Sequence, residues 1–198
     1  MAPINDRTDY TRINSATHAY LKSRDQYVYW GKGLTIPLDN APPIEGRAFT
    51  ITADITGGDG VLVATGSSLG GWSFSIEDGH PAVHEALSPL PSDQFRLVSP
   101  QRIEIGQRAR VVFDFDYDGG GAGKGGAVSI SIDGHKTAQA HLDRTIMVPD
   151  PYNESFDIGL DTGVPVVDPH GASNAFSGDL KKLVIDLGPG GQKRPDGQ

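Results

Sequence analysis

Segment 113–132, which reads FDFDYDGGGAGKGGAVSISI, limits the possible folds of this chain more than any other segment. Before the glycine-rich loop, aromatic residues alternate with aspartates, and after it valine and isoleucine alternate with small residues. Successive side chains of a strand point to opposite faces, so each half has one buried and one solvated face. The segment therefore predicts two antiparallel strands joined by a hairpin.

The same two-residue period recurs along much of the chain. It predicts further strands at 49–55, 61–64, 72–76, 94–98, 102–105, 136–142, 156–158 and 180–187. The dipeptides Asp78-Gly79 and Asp133-Gly134 are typical of two-residue hairpin turns. Segment 81–92 contains three prolines and is predicted to be irregular. Many short strands separated by turn signals favour a sandwich of two sheets or a jelly roll.

Length and composition agree with a single large all-β domain. The chain has 198 residues, 26 of them glycine and 14 proline, which suits many strands joined by tight turns. We expect residues 1–45 to form an N-terminal arm packed on the sandwich. Residues 46–188 are predicted to form the β-sandwich, and residues 189–198, rich in Gly, Pro and charge, a disordered tail.

Charge and residue usage exclude several classes of function. The formal net charge is −8 and no stretch is rich in Lys or Arg, which argues against nucleic acid and anionic membrane surfaces as partners. The absence of cysteine excludes disulfides, thiolate nucleophiles and Cys-ligated metals. The first residues contain no apolar run typical of a signal peptide, and no segment is long enough to span a membrane, so a cytoplasmic location is the default expectation.

Two glycine motifs match catalytic or nucleotide-binding patterns only in part. Segment 66–70 reads GSSLG, the pattern of a hydrolase nucleophile elbow, but that elbow needs a helix after it and residues 72–76 alternate as a strand. Segment 121–126 contains G-x-G-x-x-G, yet it precedes a strand, whereas dinucleotide binding needs it to open a helix. We interpret both motifs as turns between strands.

Two groups of residues are weighed as metal sites. Segment 114–119 reads DFDYDG, the beginning of a calcium loop, but Gly125 stands where the bidentate Glu belongs. Carboxylates on one strand face lie about 7 Å apart, so Asp118 with loop carbonyls, and Asp116 beside it, are the calcium candidates; the alternative is a solvated polar face. His80, His84 and Glu85 suggest zinc, although on a strand the two imidazoles would be about 13 Å apart.

Two further groups are candidates for catalysis and for ligand binding. Asp161, Asp168 and His170 lie in a Pro-containing segment and are acid–base candidates, with an ordinary surface loop as the alternative. Aromatic rings suit stacking on the C–H faces of sugars. The candidates are Tyr29, Trp30, Trp72 and Tyr152, with Tyr27 beside them. The alternative is that Trp72 belongs to the core and that segment 27–30 covers a sheet edge.

Several segments, in order, resemble the C-terminal region of large bacterial arylsulfatases of the alkaline-phosphatase-like superfamily. They read FTITAD (49–54), GVLVATG (60–66), GGWSF (70–74), FDFDYDGGGAGKGG (113–126), SIDG (131–134), FDIGLDTGVP (156–165), FSG (176–178) and VIDL (184–187), and PINDR (3–7) is similar to the preceding link. The resemblance implies a concanavalin A-like jelly-roll sandwich of two antiparallel sheets with an N-terminal arm, similar to lectin and glucanase domains.

The catalytic part of those sulfatases is missing from the chain. They use a formylglycine made from Cys or Ser in C/S-x-P-x-R and an Asp-rich calcium site. This chain has no Cys, and its LSPLP stretch at 87–91 lacks the Arg. The chain also departs from the family at 80–96, and Leu160 replaces the Arg usual before DTG. The resemblance therefore implies a non-catalytic accessory domain rather than sulfatase activity.

Three functions follow as alternatives. The first is an accessory or interaction module whose aromatic strip at 27–30 docks a protein partner or a second copy of the chain. The second is a carbohydrate-binding, lectin-like module, with or without calcium at Asp118. The third is a small stand-alone enzyme in the sandwich cleft that uses Asp161, Asp168 and His170. The paired-Glu motif E-x-D-x-E of sandwich glycosidases is absent, which argues against glycan hydrolysis.

Overall fold

The computed structural model describes residues 24–121, 123–146, 154–167 and 174–190. Sheet A contains, in spatial order, β1 (Gln26–Trp30), β12 (Asp179–Gly190), β3 (Arg47–Thr56), β8 (Arg108–Tyr117), β9 (Lys124–Ile132) and β10 (His135–Arg144). Sheet B contains β2 (Leu34–Pro37), β11 (Ser155–Ile158), β4 (Gly60–Ser67), β5 (Gly70–Glu77), β6 (His80–Ala86) and β7 (Gln94–Val98). Two short 3₁₀ helices span Leu38–Asn40 and Pro91–Asp93.

Both sheets are antiparallel throughout, which confirms the predicted all-β sandwich. The hairpin of segment 113–132 forms as expected, and Phe113 lies opposite Ile130 across β8 and β9. The Asp-Gly turns are also confirmed. Asp78 and Asp133 both have φ of 50°, and the glycines after them have φ of 82° and 84°, the positive values that such a turn requires at both positions.

The core fills the space between the sheets with side chains of alternate residues. Aromatic rings from both sheets meet at its centre. The Phe49 and Phe113 ring centroids lie 5.3 Å apart in an edge-to-face arrangement, and the Trp72 ring lies 6.0 Å from each of them. Burying one such side chain stabilises the fold by about 1.5–3 kcal/mol, so this cluster fixes how the sheets face each other.

The chain departs from the strand predictions at two places. Segment 81–92 was expected to be irregular, but its first half belongs to strand β6. Pro81 is tolerated because it sits near the start of β6, where its missing N–H removes little of the ladder. The predicted strand at 102–105 is wrong: the amide of Ile103 donates to Gly79 O, and a turn follows in which Gln107 N donates to Glu104 O.

Parts of the predicted arm and tail are among the described residues, and the domain boundaries stay a prediction. The part of the predicted arm that the structure describes adds edge strand β1 to sheet A and edge strand β2 to sheet B. Strand β12 continues to Gly190, two residues into the predicted tail, because Gly190 pairs with Arg47. Within the described ranges, no helix is long and apolar enough to cross a membrane.

Candidate functional site

The outer face of sheet B is built from short side chains. Trp72 and Phe74 of β5 point into the core, so Ser73 between them and Ser75 after them lie on the outer face. Their neighbours on the adjacent strands are small as well: Ala64 lies opposite Ser73, and alanines of β6 lie opposite Ser75 and Gly71. The outer face of β4, β5 and β6 is therefore a shallow floor, close to the backbone.

One row of paired residues runs across this floor and has polar side chains at both ends. In successive strands, Asp157 lies opposite Ala64, Ala64 opposite Ser73, Ser73 opposite His84, and His84 opposite Arg96. Neighbouring strands are about 4.8 Å apart, so Asp157 and His84 are separated by about 14 Å. The row has an acidic end on β11, small residues in the middle, and an imidazole and a guanidinium at the other end.

At the basic end of the row, Glu77 accepts three side-chain hydrogen bonds. The donors are His84 Nε2 at 2.6 Å, Arg96 Nη2 at 2.6 Å and Ser75 Oγ at 3.0 Å. Burial raises the pKa of Glu77, but the bonds from His84 and Arg96 outweigh it and lower the pKa to about 2. The Glu77 carboxylate is thus ionised near neutral pH, and it holds the exposed Arg96 guanidinium in one orientation.

At the acidic end of the row, Asp157 is buried and accepts three hydrogen bonds from its neighbours. Thr162 donates its amide at 2.7 Å and its hydroxyl at 2.6 Å to Asp157 Oδ2, and Ser155 Oγ donates to Oδ1 at 2.8 Å. This carboxylate therefore fixes the start of the segment that follows β11.

That segment turns over the floor. Val166 is buried and packs in one apolar cluster with Ala64 and Ala86. Its amide donates to Oδ2 of Asp161 at 3.1 Å. Burial raises the pKa of Asp161 to about 7, although the Val166 amide lowers it, and the nearby carboxylate of Asp157 raises it further. Asp161 is thus a buried carboxyl at the rim of the floor that changes its charge near neutral pH.

The structure brings one of the three predicted acid–base residues to this face. Asp161 lies at the rim of the floor, while Asp168 and His170 lie outside the described residues. Their pairing with Asp161 stays a prediction.

The predicted stacking residues do not share one surface. Trp72 is a core residue, only 6% exposed, so its ring is not available on the outside of the sandwich. Tyr29 packs inward against Phe156, with ring centroids 6.5 Å apart. Trp30 is 65% exposed on the outer face of sheet A, where the Lys182 ammonium lies 5.4 Å from its ring centroid. Tyr152 lies outside the described residues.

The calcium candidates lie on sheet A, away from the row. Asp118 accepts a hydrogen bond from His141 Nε2 at 2.9 Å, and Thr50 Oγ1 donates to Asp114 at 2.6 Å. Asp116 lies between them, and its Oδ1 is buried without a hydrogen-bond partner in the described part of the chain. Across those same residues, no three His, Asp or Glu side chains converge as metal ligands do. Calcium at Asp116 and Asp118 stays a prediction.

The three residues considered for zinc, His80, His84 and Glu85, do not come together on β6. His80 Nδ1 is bonded to Ser99 O at 2.9 Å, His84 to Glu77, and Glu85 points to the opposite face of the strand, into the core. The GSSLG motif at 66–70 is a strand-connecting turn, as interpreted from the sequence, and Gly66 has a φ of 74° there. The glycine motif at 121–126 leads into β9 rather than a helix.

The residues that define the row were not selected from the sequence as a site. Glu77, Arg96 and the two serines carry no motif, and His84 was considered only for zinc. The signal available in the sequence was the small size of the outward-facing residues of β4, β5 and β6. These include Ala, Ser and Gly, whereas the outward residues of β3 and β8 include Thr, Asp and Arg. Such small residues on an outward face allow a loop or a ligand to approach the sheet closely.

Comparison with known proteins identifies the fold. No family model and no curated protein matches the chain. A sialidase carbohydrate-binding module (CBM40) of Ruminococcus gnavus bound to α2,3-sialyllactose is similar in structure: TM-score 0.57, 12% identity, covering 86% of this chain and 94% of that one. The same module bound to α2,6-sialyllactose gives a TM-score of 0.53 at 13% identity, covering 86% and 94%.

A leech intramolecular trans-sialidase is also similar, with a TM-score of 0.51 and 11% identity over 87% of this chain and 26% of that one. At these identities the similarity shows a shared β-sandwich fold. The β-sandwich that the sequence resemblance implied is therefore confirmed. None of these three structures is an arylsulfatase, so they give no support to the accessory role that the resemblance also implied.

Proposed function

We propose that this chain is a saccharide-binding module and that its binding site is the outer face of sheet B. The observation that carries the proposal is the network in which Ser75, His84 and Arg96 donate to Glu77 beside a floor of small side chains. Preorganised polar groups that stay partly exposed, as Arg96 and Glu77 do, are usual elements of a site for a polar ligand.

Each partner in this network suits a different part of a sugar. Arg96 has five N–H donors, and within the described ranges one of them is used, on Glu77, which leaves the others for hydroxyl or carboxylate oxygens. The Glu77 carboxylate accepts from hydroxyl donors. Ser73 and Ala82 beside them are short but almost fully buried, so the exposed contacts at this end of the row come from Arg96 and Glu77.

The structural similarity to carbohydrate-binding modules supports the same proposal. The Ruminococcus gnavus module is described as bound to sialyllactose, a saccharide whose terminal sugar carries a carboxylate. An arginine that is oriented but still exposed is the side chain best suited to bind a carboxylate through two parallel hydrogen bonds. We therefore include acidic saccharides among the ligands to be tested first.

The test compares two arginines in similar ion pairs on opposite faces. Arg96 pairs with Glu77 on sheet B, and Arg110 pairs with Asp54 on sheet A at 2.7 Å; both side chains are more than half exposed. Isothermal titration calorimetry would measure binding of sialyllactose, lactose and a panel of neutral and acidic oligosaccharides. We expect Arg96→Ala to weaken binding at least tenfold and Arg110→Ala to leave it unchanged.

Equal losses in both variants, or full binding by Arg96→Ala, would contradict the proposed site. Binding that is lost only in Arg110→Ala would move the site to sheet A. A parallel titration in EDTA tests the calcium prediction. A saccharide affinity that falls in EDTA, returns when calcium is added and is low in Asp118→Asn would support a calcium-assisted module.

A further inference from the structure

A cavity inside the sandwich contains a carboxyl group that the proposed saccharide site does not use. It lies between the β6–β7 side of sheet B and the β9–β10 side of sheet A, and it has a volume of about 40 Å³. Its walls are aromatic and aliphatic, and include Phe49, Trp72, Phe95 and Phe115. Glu85 also lines it and is only 7% exposed.

The fold places Glu85 among these rings by strand register. On β6, Glu85 lies opposite Trp72 of β5 and Phe95 of β7, on the inward face. The backbone amide of Ile146 donates to its Oε1 at 2.6 Å. Its Oε2 accepts no hydrogen bond from the described residues, although a carboxylate can accept about four.

Such a carboxyl is costly for the fold. Burial raises the pKa of Glu85 to about 7, because the single amide donor compensates for only part of the lost hydration. An apolar side chain of similar size would pack with the surrounding rings at no such cost. A buried acidic group of this kind in a cavity is a candidate for a ligand-binding role.

The composition of the walls indicates which ligand would compensate the charge. No Lys, Arg or His is among the residues that line the cavity, and a second acidic residue, Glu45, also lines it. The faces of aromatic rings attract cations, most strongly where water is excluded. We propose that this cavity binds a small organic primary ammonium ion, with Glu85 as its counter-ion and the aromatic walls around its alkyl part.

The volume limits the ligand to a short chain. A water molecule needs roughly 10–15 Å³ on this measure of volume, so about 40 Å³ corresponds to roughly three to four non-hydrogen atoms. Propylammonium matches that size and is the probe. The site is separate from the saccharide site because neighbouring residues of β6 face opposite ways: His84 outward and Glu85 inward.

The experiment measures thermal stability at pH 8 in propylammonium chloride, with ammonium chloride at equal ionic strength and propan-1-ol as controls. A ligand at 100 times its Kd should raise the Tm of the wild-type protein by several degrees. We expect this rise with propylammonium, and not with either control. The matched variant is Glu85→Gln, whose amide oxygen can still accept the Ile146 hydrogen bond, and it should show no rise.

Amide NMR of the wild-type protein gives a second readout that does not depend on how the variant folds. Saturable shifts of the Ile146 amide on titration with propylammonium would support the site. Equal Tm rises in Glu85→Gln and wild type, or the absence of both a Tm rise and an Ile146 shift, would overturn it. Retained saccharide binding beside a negative amine result would leave the proposed function standing and reject this inference alone.

Discussion

The outer faces of the two sheets have similar strand patterns but different chemistry. On sheet A, exposed polar side chains pair across strands, as in Arg110–Asp54 at 2.7 Å and Gln26–Asp186 at 2.7 Å. On sheet B the outward residues are short, and polar groups such as Ser73 and Asp157 are buried. The first face is a solvated surface, and the second is a floor partly covered by the segment after β11.

This difference in burial determines how much each hydrogen bond contributes to the stability of the fold. An exposed pair on sheet A exchanges protein partners for water at little cost, so its loss changes stability slightly. A buried group on sheet B that loses its partner loses its hydration as well, and the full desolvation penalty remains. Equivalent substitutions on the two faces should therefore have unequal effects on stability.

The largest effect is expected from removing a buried carboxylate of sheet B. Asp157→Ala leaves the donors of Thr162 and Ser155 without their acceptor in a buried site, which should lower the free energy of unfolding by about 3 kcal/mol. The matched change on sheet A is Asp186→Ala. It removes the exposed partner of Gln26 and should cost no more than about 0.5 kcal/mol. Guanidinium denaturation of both variants provides the measurement.

Similar losses in the two variants would show that the faces do not differ in this way. Asp157→Asn provides a further control, because its one carbonyl oxygen can replace only part of the acceptor capacity of the carboxylate. Its cost should lie between those of wild type and Asp157→Ala.

The second prediction concerns a carboxyl whose pKa is raised. Asp161 has a pKa of about 7 in the fold against 3.8 in an unfolded chain, so the folded state holds a proton more tightly between these values. The free energy of unfolding should then fall as pH rises from about 4 to 7 and level off above 7. Asp161→Asn should remove this decline and exceed wild type in stability at pH 8 by about 2 kcal/mol.

Glu85 titrates in the same range with the same sign, so the comparison is best made in a Glu85→Gln background. Chemical denaturation at intervals of half a pH unit would give the slope. A decline that persists unchanged in the Asp161→Asn protein would mean that the carboxyl at the rim is not the titrating group.

Much of the fold could be predicted from the sequence because it depends on local rules. The alternation around Phe113 and the turns at Asp78 and Asp133 identified strands and hairpins correctly. Strand β6 was missed because its Pro81 suggests a loop, and a Pro at a strand start is tolerated only in a tertiary context that sequence does not reveal. That miss matters, since β6 carries His84.

The site could be predicted only in part, because its residues are far apart in sequence. Register brings Asp157, His84 and Arg96 into one row, and register depends on the order of strands across a sheet. The chemical motifs seen in the sequence, by contrast, lie within short segments. Asp161 was identified from such a segment, but its burial and its contact with Val166 could not be inferred from it.

A smaller effect is expected at low pH from Glu77. Its pKa is about 2 in the fold against 4.5 in an unfolded chain, so it contributes stability that is present above about pH 4.5 and lost as pH falls toward 2. Glu77→Gln should be less stable than wild type at pH 7 by about 1 kcal/mol, and this difference should shrink at pH 2. Acid denaturation followed by near-UV circular dichroism would measure it; a difference independent of pH would contradict the assigned ion pair.

The smallest effect is expected on the exposed face of sheet A, at His141. The hydrogen bond from its Nε2 to Asp118 raises the pKa of His141 above 6.5, with a smaller contribution from Asp143. The resulting stabilisation is present below pH 6.5 and is lost as pH rises through the raised pKa. Titration of the imidazole by NMR should show this elevation, and Asp118→Asn should reduce it. Because calcium at Asp118 would repel the imidazolium, added calcium should also lower the pKa of His141. A pKa that calcium leaves unchanged in wild type would show that Asp118 is a solvated partner of His141, like the other exposed pairs of sheet A.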